Sequence, residues 1–265
     1  MTNINEVKTM EIYHIPEREP LNAVELKNPF APLYDLPIHD PAPEILEHLL
    51  PGKPMNSANA LPVTEFEKLF IPGALKQYNG YCLAPDGTGF SAVTVKMNLT
   101  PEMERFWECS HWISQDDVHY KVWFPGMHFS HKMPVTEDLG WGVGHVNFAV
   151  PLDLSQLLSR PPEELDPNFL GFSGCAAFFY PLDNPDDIWY STIANCVRAT
   201  FDGLVEVTTL CWSGVHYIDG KAIRKIPLDM KADLERTRLF ACHNAWENTR
   251  KGEVFPRVYK MMHVC

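Results

Sequence analysis

The sequence lacks three features that mark common functional classes. Its seven cysteines form no CxxC pair, which argues against a cysteine-rich zinc motif. No glycine-rich phosphate-binding motif is present. Positive charge is scarce: the chain has 22 Lys and Arg but 34 Asp and Glu, which gives a formal net charge of -12. An acidic chain of this kind is a poor nucleic-acid binder, so we expect a small-molecule partner and no nucleic acid.

Long apolar segments are also missing. Stretches such as residues 175–180 are far too short to span a bilayer, and the first 20 residues contain no apolar signal segment. Scattered cysteines in odd number then predict reduced thiols in a cytoplasmic protein that does not contact membranes. Hydrophobic residues make up 45% of the chain and aromatic residues 12%, which is enough for a sizeable core. We allow for a homodimer.

The first 80 residues are rich in proline and favour an extended, loop-rich lobe packed on the main body. Two short helices are predicted within it, at residues 42–50 and 65–70. The second follows a capping-box pattern, with Thr64 as N-cap and Glu67 three residues later.

From Gly80 onward the pattern is typical of strands. Pro85-Asp86-Gly87 predicts a hairpin turn, and Asp202-Gly203 predicts another. A short helix is predicted at 101–109 because Pro101 follows Thr100 as N-cap. Further strands are predicted at residues 119–124, 144–154, 173–182, 189–201 and 203–218.

A long helix is predicted from Leu228 to about Asn248. Antiparallel strands followed by one long helix indicate an α+β fold, in which a curved sheet grips the helix and encloses a cavity. We therefore divide the chain into a lobe at residues 1–80 and a main domain at residues 81–265.

His243 and Glu247 are the most informative pair on this helix. Their spacing of four residues stacks an imidazole and a carboxylate on one helix face. Many zinc enzymes build half of a metal site in this way. The alternative is a surface pair that contributes a few tenths of a kcal/mol to helix stability.

The segment FPGMHFSHKMPVTEDLG offers the other half of such a site, through His128, His131, Glu137 and Asp138. If residues 120–130 form a regular strand, His128 and His131 point to opposite faces, and one of them reaches the cavity. A histidine hydrogen-bonded in a loop and an exposed acidic pair are the alternatives. Asp138 or the more distant Glu163 could replace Glu137 as a ligand.

Four blocks in this order resemble the diacetylphloroglucinol hydrolase and phloretin hydrolase family. They are HYKVWFPGMHFSH, TEDLG, NCVRATFDGLVEVTTLCWSG and HNAWENTRKG, spread over roughly residues 100–255. The resemblance implies a zinc enzyme of the helix-grip type, which hydrolyses the carbon–carbon bond between a polyhydroxylated aromatic ring and an acyl group. One Zn²⁺ per chain is the implied cofactor, and an acylphloroglucinol or phloretin-like aromatic ketone is the implied substrate.

The resemblance also implies the site residues. The zinc ligands fall on His128, Glu137, His243 and Glu247.

Tyr120 falls on the family's tyrosine before the Pro-Gly turn and is expected to bind a substrate hydroxyl. His131 stands where the family has an asparagine in the substrate pocket, and we expect it to act as the acid–base group. Cys196 and Cys211 occupy strand positions where a His and a Tyr are expected, and they are predicted to contact substrate.

Other assignments stay open at this point. His145 and His216 lie in predicted strands and could line the cavity. A metal-dependent amidase or esterase would use the same four ligands. A helix-grip carrier of small aromatic ligands would have the cavity without the metal chemistry.

Overall fold

The computed structural model describes residues 12–71, 73, 75–110, 116–132, 137–140, 143–149, 166–181, 184, 186–218 and 220–263. At residues 108–110, 131–132, 137–140, 143–149, 173, 175, 180–181 and 218 it describes the backbone alone. The fold is α+β, as predicted, with mixed helices, an antiparallel sheet and one long C-terminal helix.

The described strands form an eight-stranded sheet and a separate two-stranded ribbon. Strand order in the large sheet is β1-β2-β8-β7-β6-β5-β4-β3, and all its pairs are antiparallel. The ribbon pairs β9 with β10. The strands are β1 Gly80–Leu83, β2 Gly89–Met97, β3 His128–Lys132, β4 Glu137–Gly140, β5 Val143–Ala149, β6 Phe169–Pro181, β7 Trp189–Ala199, β8 Val205–Ser213, β9 Val215–Ile218 and β10 Lys221–Arg224.

Four α-helices and several 3-10 helices accompany the sheet in the described parts of the chain. The α-helices are α1 Pro43–Leu46, α2 Pro101–Ser110, α3 Asp117–Trp123 and α4 Leu234–His263. The 3-10 helices span Glu25–Lys27, Ala31–Leu33, Ser57–Asn59 and Val63–Phe70. None of the described helices combines the length and the apolar character that crossing a membrane requires.

Helix α4 begins later and ends later than predicted. Its start is fixed by Asp233, whose carboxylate accepts hydrogen bonds from the amides of Glu235 and Arg236 at 2.8 and 3.1 Å. The helix lies very close to β2, because a glycine stands at two of their contacts, Gly252 on α4 and Gly89 on β2. A Cβ at Gly252 would lie 3.1 Å from the Met97 Cβ, and a Cβ at Gly89 would clash with the Thr237 hydroxyl.

Both faces of the sheet are covered, and alternation along the strands decides which side chains face which layer. Val93, Val95 and Val207 pack with Ala241 and Ala245 of α4. Other residues of β2, β7 and β8 point the opposite way and pack with the 3-10 helix at Val63–Phe70; they include Ala92, Ala194, Cys196 and Leu210.

The N-terminal residues share this core. Ile12, Tyr13, Phe30, Leu33 and Leu49 belong to the same buried cluster as the α4 residues. The predicted division at residue 80 remains a prediction, but the residues before it pack directly against α4.

Three local predictions were wrong. Residues 119–124 do not form a strand: residues 119–123 lie in α3 and Phe124 is its C-cap. Asp116 caps the start of this helix by accepting a hydrogen bond from the His119 amide at 3.1 Å. The 3-10 helix at Val63–Phe70 starts after Pro62 without a side-chain cap, so the predicted capping box at Thr64 does not form. The strand predicted at 203–218 is interrupted at Gly214, where a φ of 83° ends β8.

Candidate metal centre

His243 and Glu247 lie on one face of α4, as their spacing predicts. The His243 Nε2 atom is 3.5 Å from Glu247 Oε2, and the two side chains are only 12% and 14% exposed. The pair therefore lies in a largely enclosed position and is not a solvated surface pair.

His128 approaches this pair from the sheet side. It is the first residue of β3 and directly follows a tight turn, in which the His128 amide donates to the Phe124 carbonyl at 2.9 Å and Gly126 has a φ of 83°. The turn brings His128 Nε2 to 3.9 Å from Glu247 Oε1. Its ring centroid is 5.6 Å from that of His243, at an interplanar angle of 50°.

These three side chains can hold one metal ion. One ligand atom from each of His128, His243 and Glu247 lies within 4.8 Å of the others. In a tetrahedral zinc site with bonds near 2.0–2.1 Å, the ligand atoms lie about 3.4 Å apart. The separations of 3.5 and 3.9 Å exceed a direct hydrogen bond and approach that spacing. Two imidazoles and a carboxylate are a donor set that catalytic zinc sites use with a fourth position open.

Aromatic rings pack around the histidine rings. Tyr120 stacks on His128 with centroids 4.0 Å apart and an interplanar angle of 2°. The Trp123 ring meets His128 edge-on at 4.8 Å, and the Phe124 ring lies 5.1 Å from His243. These contacts orient the imidazoles and give the centre an apolar wall, in which electrostatic interactions are stronger than in water.

Tyr13 is a residue of the site that the sequence analysis missed. Its hydroxyl oxygen lies 3.3 Å from His243 Nδ1, on the side of the ring opposite the carboxylate. Burial raises the pKa of Tyr13 well above its usual value, and the nearby Cys242 and Glu247 raise it further. No sequence signal marks Tyr13, because it lies 230 positions from its partner in a proline-rich segment.

A buried polar row runs from α4 to the sheet on a neighbouring face of the helix. The Asn248 amide donates to the Thr209 hydroxyl at 3.0 Å, and that hydroxyl donates to Asn195 Oδ1 at 2.7 Å. One turn before Asn248, the buried amide nitrogen of Asn244 has no hydrogen-bond partner among the described residues. The interface between helix and sheet therefore contains polar side chains at Asn244 and Asn248, the residues that directly follow His243 and Glu247.

The two predicted substrate cysteines lie on opposite faces of the sheet. Cys211 packs with Phe240 of α4, and its sulfur is 3.5 Å from the Ser191 hydroxyl. Cys196 packs under the 3-10 helix, with its sulfur 3.7 Å from the Leu69 carbonyl. Burial raises the pKa of Cys211 to about 11 and that of Cys196 to about 12, so both are thiols at neutral pH. Only Cys211 is on the helix side of the sheet.

His216 lies on β9, where its Nε2 is 2.8 Å from the Ala177 carbonyl oxygen. Burial lowers the pKa of His216, so its ring is neutral near pH 7. Its contacts are those of a structural histidine.

The side chains of His131, Glu137, Asp138 and His145 lie outside the described residues, as does Glu163. Their strands are described, and the register pairs His131 with Asp138 and Lys132 with Glu137, while His128 pairs with Gly140. Glu137 lies three residues along β4 from Gly140, the partner of His128, so at about 3.3 Å per strand residue its backbone lies roughly 10 Å along the ladder from His128. Glu137 thus stays a prediction, and it is the ligand that most needs a direct test.

Comparison with known proteins bears on this centre. Residues 61–143 match the sequence model of the family described as the DAPG hydrolase PhiG domain. This match confirms the resemblance to the diacetylphloroglucinol hydrolase family, and its range includes Tyr120 and His128. The search of curated proteins found no match to the chain.

Proposed function

We propose that this chain, which matches the diacetylphloroglucinol hydrolase family over residues 61–143, is a metal-dependent hydrolase of aryl ketones. It would cleave the carbon–carbon bond between a polyhydroxylated aromatic ring and an acyl group, as in an acylphloroglucinol or phloretin-like substrate. The observation that carries the proposal is the convergence of His128, His243 and Glu247 in a chain with this family match.

The proposed cofactor is one Zn²⁺ per chain, held by His128, His243 and Glu247, with Glu137 as the proposed fourth ligand. When bound, the metal would act as a Lewis acid toward a ketone or phenolate oxygen. Two carboxylates among the ligands supply two negative charges and would make the centre a weaker Lewis acid than one with three histidines. A directly bound substrate oxygen would offset this deficit.

The overall reaction consumes one water. A new C–O bond forms at the ketone carbon, the bond from that carbon to the ring breaks, and the ring carbon takes up a proton. The products are a carboxylic acid and the deacylated phenol. A 1,3,5-trihydroxylated ring suits this chemistry, because its keto tautomer makes the ring carbon a tolerable leaving group.

Residues of this chain have three tasks in that reaction. Tyr120 orients His128 by stacking on it at 4.0 Å, and we propose that its phenol also binds a ring hydroxyl of the substrate. His131 is the proposed acid–base group that exchanges a proton with the ring carbon. Cys211 is the proposed substrate contact on the helix side of the sheet, where the buried polar row from Asn248 also lies. Cys196 is also predicted to contact substrate, but it lies on the face of the sheet that packs against the 3-10 helix, so this role would require substrate on that face.

We propose that the fold is of the helix-grip type, with a substrate cavity between sheet and helix. We also propose a cytoplasmic location. The described residues give no support for the homodimer that the sequence analysis allows, so the proposal concerns a single chain.

The proposal is tested by elemental analysis of the purified chain together with incubation with diacetylphloroglucinol and phloretin. We expect about one zinc per chain and release of the deacylated ring with the matching carboxylic acid. Simple aryl esters and amides of similar size serve as controls. Cleavage of these controls without ketone cleavage would indicate an esterase or amidase, and a chain that binds phloretin without metal or turnover would be a carrier.

A further inference from the structure

A short N-terminal strap, residues 12–16, crosses the metal centre. The Ile12 carbonyl accepts a hydrogen bond from the Arg238 guanidinium at 2.6 Å, and Arg238 is only 3% exposed. At the other end of the strap, a Cβ placed on Gly126 would lie 2.6 Å from the Pro16 carbonyl oxygen. The strap is therefore fixed both to α4 and to the turn that leads into His128.

Tyr13 lies in the middle of this strap and is itself 5% exposed. Its ring packs against Trp246 with centroids 5.2 Å apart, which directs the hydroxyl toward His243 Nδ1 at 3.3 Å. The same hydroxyl lies 4.0 Å from the Met127 sulfur, which can only accept a hydrogen bond.

The hydroxyl has a single hydrogen, which can serve only one of these two contacts. A tyrosine hydroxyl has one hydrogen and two lone pairs, and thioether sulfur can only accept. If the hydrogen points to the Met127 sulfur, a lone pair faces His243 Nδ1, and that nitrogen must carry the ring hydrogen. The single in-plane lone pair of the neutral imidazole is then on Nε2, the atom 3.5 Å from Glu247 Oε2. This is the tautomer that a metal ligand needs at Nε2.

We propose that Tyr13 is a positioning residue of the metal centre, which holds His243 as the Nδ1–H tautomer with Nε2 directed toward the other ligands. The inference rests on the proposed function only in that a metal gives the tautomer its use. The tautomer itself is a property of the metal-free protein. The N-terminal strap is then part of the site, because the His243 ring is oriented by a residue 230 positions away in the chain.

The direct test is ¹⁵N NMR of the His243 ring in the metal-free chain. At about pH 8, well above the usual imidazole pKa of about 6.5, the two tautomers give distinct nitrogen shifts. We expect mainly Nδ1–H in the parent and a shift toward the Nε2–H tautomer in Tyr13→Phe. Tyr34→Phe is the matched control: Tyr34 belongs to the same buried cluster, but its hydroxyl donates to the Glu19 carbonyl at 2.8 Å. An unchanged tautomer in a folded Tyr13→Phe protein would overturn the proposal.

A second variant tests the hydrogen count without changing Tyr13. Met127→Leu conserves volume at a fully buried position and removes the sulfur acceptor. The hydroxyl hydrogen should then turn toward Nδ1, and the Nε2–H tautomer should become more populated. If Tyr13→Phe does not fold, this variant decides, and an unchanged tautomer in it would overturn the proposal.

Zinc affinity separates this inference from the proposed function. Loss of a group that orients a metal ligand typically weakens metal binding about 10–100-fold, so we expect that loss in Tyr13→Phe and none in Tyr34→Phe. Parent-like affinity in Tyr13→Phe would count against a positioning role. Failure of the parent chain itself to bind zinc would instead contradict the proposed function, while the NMR result would still decide the tautomer.

Discussion

Replacing His243 by alanine should abolish the stabilisation of the folded chain by zinc. His243 supplies one of three ligand atoms that lie within 4.8 Å of one another. Binding free energies of about 10–16 kcal/mol for four-ligand structural zinc correspond to about 2.5–4 kcal/mol per ligand, or roughly 10²–10³ in affinity. A protein loaded at moderate affinity should therefore lose its zinc on dilution and dialysis once His243 is removed.

The same change should appear in thermal unfolding. A metal present at 100 times its Kd stabilises the folded state by about 2.7 kcal/mol. For a chain of this size, each kcal/mol raises Tm by about 2–4 °C, so zinc should raise the parent Tm by roughly 5–11 °C. We expect little or no zinc-dependent rise in His243→Ala. Glu247→Gln should show a partial rise with much lower turnover, because an amide oxygen still coordinates weakly but adds no charge.

The assay is differential scanning calorimetry with and without zinc, combined with elemental analysis of the dialysed protein. His39→Ala is the matched control, since His39 also pairs with a glutamate on α4, Glu253, at 2.7 Å, but its side chain is 65% exposed. Such a surface pair contributes little to stability. Equal zinc content and an equal zinc-dependent rise in parent and His243→Ala would refute the assignment of this helix pair as metal ligands.

Three further predictions use other parts of the structure. His131→Ala should keep its zinc but lose about 10²–10⁴-fold in kcat together with one limb of the kcat–pH profile, and an unchanged profile would assign acid–base catalysis elsewhere. Gly126→Ala should lower both the free energy of unfolding and the zinc affinity, because a Cβ there meets the Pro16 carbonyl. Gly52→Ala is the control, since Gly52 has a similar φ of 71° with open space around it, and it should lower only the free energy of unfolding, by about 1–2 kcal/mol. The lowered pKa of His216 means that the unfolded chain binds a proton there below about pH 6.5 while the folded chain does not, so stability falls as pH drops through that range. Urea unfolding at two pH values should show this loss to be smaller in His216→Gln, by at most about 1.4 kcal/mol per pH unit.

The sequence by itself determined those features whose causes are local. Hairpin turns at residues 85–87 and 202–203 form where Gly87 and Gly203 adopt φ values of 84° and 79°. Likewise, the pairing of His243 with Glu247 follows from the helical repeat alone, and the long C-terminal helix follows from its pattern of apolar residues. The two motifs at residues 119–131 and 136–140 were enough to indicate the resemblance to the family whose sequence model matches residues 61–143.

Local pattern failed where two structures fit the same residues. Residues 119–124 alternate as a strand would, yet residues 119–123 form part of α3, because the Asp116 cap starts a helix just before them. Helix α4 likewise starts at Leu234 rather than Leu228, since Asp233 is the residue whose side chain caps it.

Only the tertiary structure decided which distant groups share the site. His128 reaches Glu247 because the turn at Gly126 and the packing of α4 on the sheet together fix their separation. That separation cannot be read from either segment alone. Tyr13 reaches His243 because Arg238 and the core hold the strap across α4. Such contacts join positions far apart in the chain, so they depend on how the layers pack, whereas helical spacing and turn chemistry act within a few residues.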